Sequence, residues 1–279
     1  KMLFILMCAL LPAQMFAASD LSQNGQELID KLWLLRFNTS ITSKSEETLQ
    51  LYEDFETANA EEIASLPEDE QLVIENLLIM ERYNCIGGFP GEKKEERKTF
   101  GDQRKKIEKF VKSAGSENIN KYLCLTYGDI ISYYMSFSLG DVIRYGLSVK
   151  PQYEKSLQKD EKFSPGMINM GKWYYHVPGL FGGSKTKTAQ LFAQAVDCAK
   201  TEPELYFALI DYSQILFEQG EKEESARILQ RAFEIAPDSA YLQLIADQNA
   251  QNISLYEYNK KHTSILQEGE KYKQKQGIE

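Results

Sequence analysis

The sequence predicts an all-α protein, built as a right-handed solenoid of roughly ten to twelve helices that stack in pairs. Three observations support this fold class. Apolar residues recur at helical spacing along nearly the whole chain. Strand signals are scarce, because β-branched residues do not alternate with polar ones and no Asn-Gly or Asp-Gly pair lies between apolar runs. The stretch from Tyr206 to Pro237 has the pattern of two helices joined by a short turn.

The helix pair at 206–237 carries small and large residues at fixed intervals. Its first helix places bulky side chains on one face. Its second helix combines a bulky residue with a small one that permits close helix approach, before a proline ends it. The predicted packing positions are Leu209, Tyr212, Leu229, Ala232 and Pro237. This spacing resembles the tetratricopeptide repeat (TPR), a helix pair of about 34 residues that needs stacked neighbours to bury its apolar face.

Neighbouring helix pairs are predicted on both sides of this unit. Upstream, Gly171 takes the small position of a first helix and Ala195 that of a second helix, with an enlarged turn between them. Further upstream, 121–139 is expected to be another first helix. Downstream, 239–249 and 254–267 are expected to form a closing pair, or one helix and a cap.

The chain as a whole divides into a signal peptide at 1–18, an N-terminal helical region at 19–90 and a TPR-like repeat region at 91–279. The boundary near residue 90 is soft, and one continuous solenoid is expected. The segment from Gly87 to Phe100 combines Gly and Pro with dense charge, which predicts a mobile surface loop. The next helix is predicted to begin near Asp102 and to end near Ala114.

The N-terminal segment predicts export to the periplasm. A short apolar run follows Lys1, and small residues then allow cleavage near Ala17 or Ala18. An uncleaved anchor is the alternative, and Cys8 raises a second one, a lipid attachment site, although Met7 before it is not small. Membrane contact is therefore expected only if the segment is retained or lipidated.

The charge balance argues against nucleic acid or an anionic membrane as the principal partner. The 279 residues include 32 basic and 41 acidic ones, which gives a net charge of −9. No metal or other cofactor is expected, because neither the histidines nor Cys85, Cys124 and Cys198 have the spacing of metal ligands. Cys124 and Cys198 lie in apolar helical runs and are expected to be buried, whereas Cys85 beside a Gly-rich turn is the candidate for reactivity.

Aromatic side chains concentrate on two predicted first helices, which line the concave surface in a TPR stack. Such rings offer a large apolar face and one polar handle, as ligand clefts require. The simpler alternative for each ring alone is packing between helices. The candidate residues of a ligand or partner groove are Tyr127, Tyr134, Phe137, Trp173, Tyr174, His176 and Phe181.

No catalytic residue is predicted, and two chemical alternatives are weak. The run from Gly179 to Thr186 approaches a phosphate-binding loop, but Ser184 stands at the second required glycine and a helix precedes it. A helical hydrolase that uses a carboxylate is the other alternative, although no acidic pair stands out among 41 acids. A purely structural envelope protein is the third possibility.

One segment resembles a known family. The residues that carry the resemblance are Gly171, Tyr174, Pro178, Gly182, Gly183, Phe192 and Ala195. Their order resembles the TatT family, the periplasmic TPR proteins that accompany TRAP transporters, over roughly residues 121 to 250. The resemblance implies a non-enzymatic protein that binds a solute-receptor subunit and a hydrophobic ligand in a cleft.

Overall fold

A computed structural model describes residues 21–41, 46–85 and 93–259, and all structural statements below concern these ranges. The predicted signal peptide and Cys8 lie outside them. Within these ranges the fold is all-α, as predicted, with twelve α-helices, one short 3₁₀ helix, further helical residues at 255–259 and no strand. The helices are α1 (Gln23–Ile41), α2 (Glu46–Ala58), α3 (Ala60–Ser65), α4 (Glu68–Cys85), α5 (Lys93–Ala114), α6 (Lys121–Ser136), α7 (Leu139–Lys159), α8 (Ser164–His176), the 3₁₀ helix Gly179–Phe181, α9 (Lys185–Cys198), α10 (Glu202–Glu218), α11 (Lys222–Ile235) and α12 (Ala240–Ala250).

Consecutive helices pack on one another, which gives a helical solenoid. The closest pairs are α6 with α7, α8 with α9, and α10 with α11. Contacts of α7 with α8 and of α9 with α10 then join one pair to the next. The apolar faces are buried in two large side-chain clusters, and residues of α1 take part in both.

Small residues let the helices of each pair approach closely. A Cβ placed on Gly171 of α8 would overlap the ring of Phe192 of α9, and a Cβ on Gly128 of α6 would overlap the ring of Tyr153 of α7. In the third pair, the buried Ser225 hydroxyl of α11 donates a 2.7 Å hydrogen bond to the carbonyl of Ser213 in α10. A small residue therefore lies at the helix contact in three successive pairs.

The predicted packing positions of the third pair lie in its core. Leu209, Leu229 and Ala232 are buried, and Tyr212 is partly buried against the same cluster. Pro237 is exposed in the turn that follows the end of α11 at Ile235. Upstream, Ala195 is fully buried, and its carbonyl accepts a 2.9 Å hydrogen bond from the Ser164 hydroxyl.

The prediction of a loop at 87–100 is wrong where α5 begins. The helix begins at Lys93, well before the predicted start near Asp102. Lys, Glu and Arg are good helix formers, so a dense mixture of them does not break a helix. Four residues at helical spacing then face the core, and Phe100 stacks on Tyr133 with ring centroids 5.0 Å apart. The buried stripe consists of Glu96, Phe100, Gln103 and Ile107.

The first helix also packs against the C-terminal part of the chain. Phe37 of α1 contacts the ring of Tyr206 in α10 edge-on, with centroids 5.0 Å apart. Trp33 lies 6.1 Å from Phe207 in the same manner, and α1 also contacts α4 and α12. This helix therefore bridges the two ends of the described chain, an arrangement that periodicity alone does not predict.

None of the described helices is both long enough and apolar enough to cross a membrane.

Candidate ligand-binding cavity

A cavity of about 880 Å³ lies between α1, α4, α6, α7, α8 and the turn after α8. Helical spacing explains how one helix supplies several lining residues. On α7, Val142, Gly146, Val149 and Tyr153 fall on one face at intervals of three and four residues. Most of the wall is apolar, and its members include Leu77, Met80, Leu125, Met135, Val149 and Trp173.

The mouth of the cavity is an exposed apolar rim. Ile143 and Leu147 of α7 are 78% and 74% exposed, and Phe181 of the 3₁₀ helix is 62% exposed, although all three line the cavity. Leu180 beside Phe181 is 91% exposed. Exposed large hydrophobic residues elsewhere in the described ranges are few, so they concentrate at this mouth.

A Gly-rich turn holds Phe181 at the rim. Gly182 has a φ of 97°, a conformation that favours glycine, and a Cβ on Gly183 would overlap the carbonyl of Val177. The amide of Ser184 donates a 2.9 Å hydrogen bond to the carbonyl of Tyr174, and its hydroxyl caps α9 by accepting from the Lys187 amide. The residues that approach a phosphate-binding pattern thus have a structural role in this turn.

The inner wall of the cavity carries a carboxylate. Asp129 of α6 accepts a hydrogen bond of 2.7 Å from the Tyr153 hydroxyl and another of 2.7 Å from the Asn169 side-chain amide, both at Oδ1. Burial raises the pKa of Asp129 to about 6, and the two hydrogen bonds and the charges of Arg36 and Lys172 act in the opposite direction. The carboxylate is therefore held in place by neutral donors.

Two cations lie on the same inner wall, and each has an acidic partner. The guanidinium of Arg36 lies 5.1 Å from the ring centroid of Trp33 and 4.7 Å from that of Phe207, while its Nε is 3.3 Å from Oε1 of Glu81. Burial lowers the pKa of Arg36, but the charge of Glu81 together with smaller contributions from neighbours that include Asp129 outweighs it, so the pKa lies above its ordinary value.

The second cation is Lys172. Its Nζ lies 2.9 Å from Oδ2 of Asp211, which also accepts a hydrogen bond of 2.9 Å at Oδ1 from the Tyr256 hydroxyl. Burial lowers the pKa of the neighbouring His176, and the charge of Lys172 lowers it further. His176 therefore faces the cavity as a neutral imidazole at pH 7.

Three of the seven predicted groove residues line the cavity, namely Trp173, His176 and Phe181. The other four, which do not line it, are Tyr127, Tyr134, Phe137 and Tyr174. Tyr134 packs instead beneath the guanidinium groups of Arg97 and Arg104, at 5.1 and 5.4 Å from its ring centroid. Phe137 packs against Phe100 with centroids 6.0 Å apart.

Sequence reasoning missed the charged residues of the inner wall. Arg36 and Asp129 each stand alone within an apolar helical run, in LWLLRF and YGDIIS. A lone charge on an apolar face is the signal that points to such a position, because a buried charge needs a partner or a function.

The cysteines show no sign of reactivity among the described residues. Cys124 is a buried free thiol, and burial raises its pKa to about 11, so it remains protonated at neutral pH. Cys198 is a partly buried free thiol, and the side chain of Cys85 lies outside the described part. Across the described ranges, no three His, Cys, Asp or Glu side chains converge as a metal site would require.

The chain matches no protein-family model and no curated protein.

Proposed function

We propose that this protein is a non-enzymatic binding protein that holds an apolar ligand in the cavity between α1, α4, α6, α7 and α8. The observation that supports the proposal is a volume of about 880 Å³ with largely apolar walls and an exposed apolar mouth. Cavities of about 300–1,000 Å³ with such walls and a few placed polar groups are typical ligand sites.

The hydrogen bonds of the polar groups in the cavity support a role in ligand binding and not in catalysis. Ser132 and Ser136 each donate to a backbone carbonyl of their own helix, Ser132 to Gly128 and Ser136 to Tyr133. Neither hydroxyl is hydrogen-bonded to His176, which activation of a nucleophile would require. The Asp129 carboxylate is bonded to Tyr153 and Asn169, an arrangement that holds a charge in place.

The rim supports a protein partner as the second part of the proposal. Val142, Ile143 and Leu147 form an apolar ridge on α7, and Leu180 and Phe181 extend it on the neighbouring turn. Through the resemblance to the TatT family, we assign this ridge to a solute-receptor subunit that exchanges ligand with the cavity in the periplasm. A double variant, Ile143→Asp with Phe181→Asp, is expected to abolish co-sedimentation with that subunit, and unchanged co-sedimentation contradicts the assignment.

A cavity-filling variant tests the ligand site. Gly146 lines the cavity, and a Cβ there would meet open space, so Gly146→Trp adds an indole to the cavity rather than to the packed core. Leu180→Trp is the matched control, because Leu180 is 91% exposed and does not line the cavity.

The probe for this test is the neutral fluorophore N-phenyl-1-naphthylamine. The unaltered protein and Leu180→Trp are expected to enhance its fluorescence with similar affinity, while Gly146→Trp weakens binding at least about tenfold. Circular dichroism establishes that each variant is folded. Equal binding by all three proteins, or no binding by the unaltered protein, contradicts the proposal.

A further inference from the structure

The carboxylates at the inner wall of the cavity differ in their partners. Two cations, Arg36 and Lys172, and two carboxylates, Glu81 and Asp129, line the cavity, and Asp211 contacts Lys172 from outside the lining. Glu81 pairs with Arg36, and Asp211 pairs with Lys172, so both cations already have a carboxylate. Asp129 is the carboxylate that remains.

Asp129 forms no salt bridge with a described residue, and the charges of Arg36 and Lys172, each paired with its own carboxylate, act on it from a longer distance. Its two hydrogen bonds come from neutral groups, the Tyr153 hydroxyl and the Asn169 amide, and both reach Oδ1. No described side chain donates to Oδ2, and that oxygen does not belong to the fully buried polar atoms that lack a partner. Oδ2 is thus available to a molecule in the cavity, whose wall includes Asp129.

We propose that the ligand is an amphipathic molecule with a cationic ammonium head, which forms an ion pair with Oδ2 of Asp129. Its apolar part lies along the wall formed by Leu125, Met135 and Val149 and extends towards Ile143 and Leu147 at the mouth. This inference rests on the proposed function and names the class of ligand. An ion pair away from bulk water is stronger than the same pair on the surface, and it would give Asp129 the direct ion pair that no described side chain forms with it.

A carboxylate head fits the cavity less well. It would bring a second negative charge close to the carboxylate of Asp129, which lines the cavity. The guanidinium of Arg36 is engaged with Glu81 and lies between the rings of Trp33 and Phe207, so Arg36 is not an isolated cation. A neutral alcohol head could donate to Oδ2 but would leave its charge without a counter-ion.

Three ligands with the same chain test the head group. Decylamine, decanol and decanoate compete with N-phenyl-1-naphthylamine at pH 7.5, the two ionic ligands below their micelle concentrations and decanol below its solubility limit. Decylamine is expected to bind at least about tenfold more tightly than decanol, and decanoate to bind most weakly. Equal affinity for decylamine and decanol, or a preference for decanoate, overturns the inference while leaving the proposed function intact. Failure of the fluorophore itself to bind overturns the proposed function.

The variant Asp129→Asn tests whether the preference for decylamine over decanol depends on the Asp129 carboxylate. It keeps an acceptor for Tyr153 and removes the charge, so decylamine and decanol are expected to bind with similar affinity. Asp238→Asn, an exposed acid in the turn after α11, is the control and is expected to keep the preference. A preference that persists in Asp129→Asn overturns the inference.

A measurement on the unaltered protein does not depend on the folding of any variant. The carbon chemical shift of the Asp129 carboxyl, followed against pH, gives its pKa with and without decylamine. A bound ammonium is expected to lower that pKa by at least one pH unit. An unchanged pKa at saturating decylamine contradicts the ion pair.

Discussion

Phe37 and Tyr206 pack edge-on with ring centroids 5.0 Å apart, although one belongs to the first described helix and the other to a helix near the far end of the chain. Tyr206 is fully buried, and its hydroxyl lies 3.0 Å from that of Ser239. This contact fixes α1 against α10. Because α1 also supplies Trp33 and Arg36 to the cavity, the wall of the cavity depends on the same helix.

Removal of the Phe37 ring is expected to destabilise the fold. Phe37 is 9% exposed, and Phe37→Ala is expected to reduce the free energy of unfolding by about 3 kcal/mol through lost burial and the cavity left behind. Leu34→Ala on the same helix is the control, since Leu34 is 50% exposed and the change is expected to cost less than about 0.5 kcal/mol. Urea denaturation measures both, and equal losses contradict the account of α1.

Gly171 is expected to tolerate no methyl group. Its Cβ would overlap the fully buried ring of Phe192, so Gly171→Ala is expected to destabilise the protein by about 1–3 kcal/mol. Gly146→Ala, also inside a helix but facing open space, is expected to stabilise it by about 0.5–1 kcal/mol.

A double-mutant cycle separates this clash from a general effect of alanine. In the background of Phe192→Leu, the smaller side chain relieves the overlap, so Gly171→Ala is expected to cost less than it does in the unaltered protein. Additive losses of unfolding free energy would show that α8 and α9 do not meet at these two residues.

Asp129 is expected to contribute more to the stability of the fold at low pH than at neutral pH. Its pKa in the fold is about 6, above its ordinary value of 3.8, so the folded state binds this proton more tightly than the unfolded state does. The resulting stabilisation is fully present below about pH 4 and is lost as the pH rises through 6. Without ligand, Asp129→Asn is expected to be more stable than the unaltered protein at pH 7.5 by about 1–3 kcal/mol.

The same difference is expected to shrink to nearly zero at pH 4, where both side chains are neutral. Thermal unfolding at the two pH values measures it, with Asp238→Asn as the surface control. A difference that stays constant between pH 4 and pH 7.5 would show that Asp129 is not held in a desolvated site.

Binding of decylamine is expected to weaken as the pH falls from 7.5 to 5. Protonation of Asp129 removes the negative charge that pairs with the ammonium. Protonation of His176, whose pKa lies below its ordinary value, would add a positive charge and act in the same direction. The other titratable or charged groups around Asp129 are Arg36, Glu81, Tyr133, Tyr153 and Lys172. Displacement of the fluorophore by decylamine and by decanol at each pH measures the effect, and decanol is expected to show little change.

Local sequence pattern predicted the helix pairs and their packing residues. Gly171, Ala195 and Ala232 were predicted as small residues because close helix approach restricts side-chain size, and this restriction is visible in the sequence. The predicted start of α5 is wrong. Dense charge around Lys93 indicates a loop, but these residue types favour helix.

The cavity was only partly predictable. The aromatic concentration predicts Trp173, His176 and Phe181, whereas Phe137 packs against Phe100 and Tyr134 packs against Tyr145 and Arg97 outside the cavity. The position of α1 brings Arg36 to the inner wall that also carries Asp129, and that position depends on contacts between distant parts of the chain. A periodic pattern predicts which helices are neighbours along the stack. It does not predict contacts between helices that are distant in the sequence, such as α1 and α10.

Methyl NMR during a titration with decylamine tests the central claim most directly, since it locates the ligand. We expect the shifts of Leu125, Met135 and Val149, which line the cavity, to change saturably with one ligand per protein. The methyl groups of Leu34 and Leu51, which are exposed away from the cavity, are expected to remain unchanged. Shifts confined to exposed residues, with the wall of the cavity unaffected, would contradict the account.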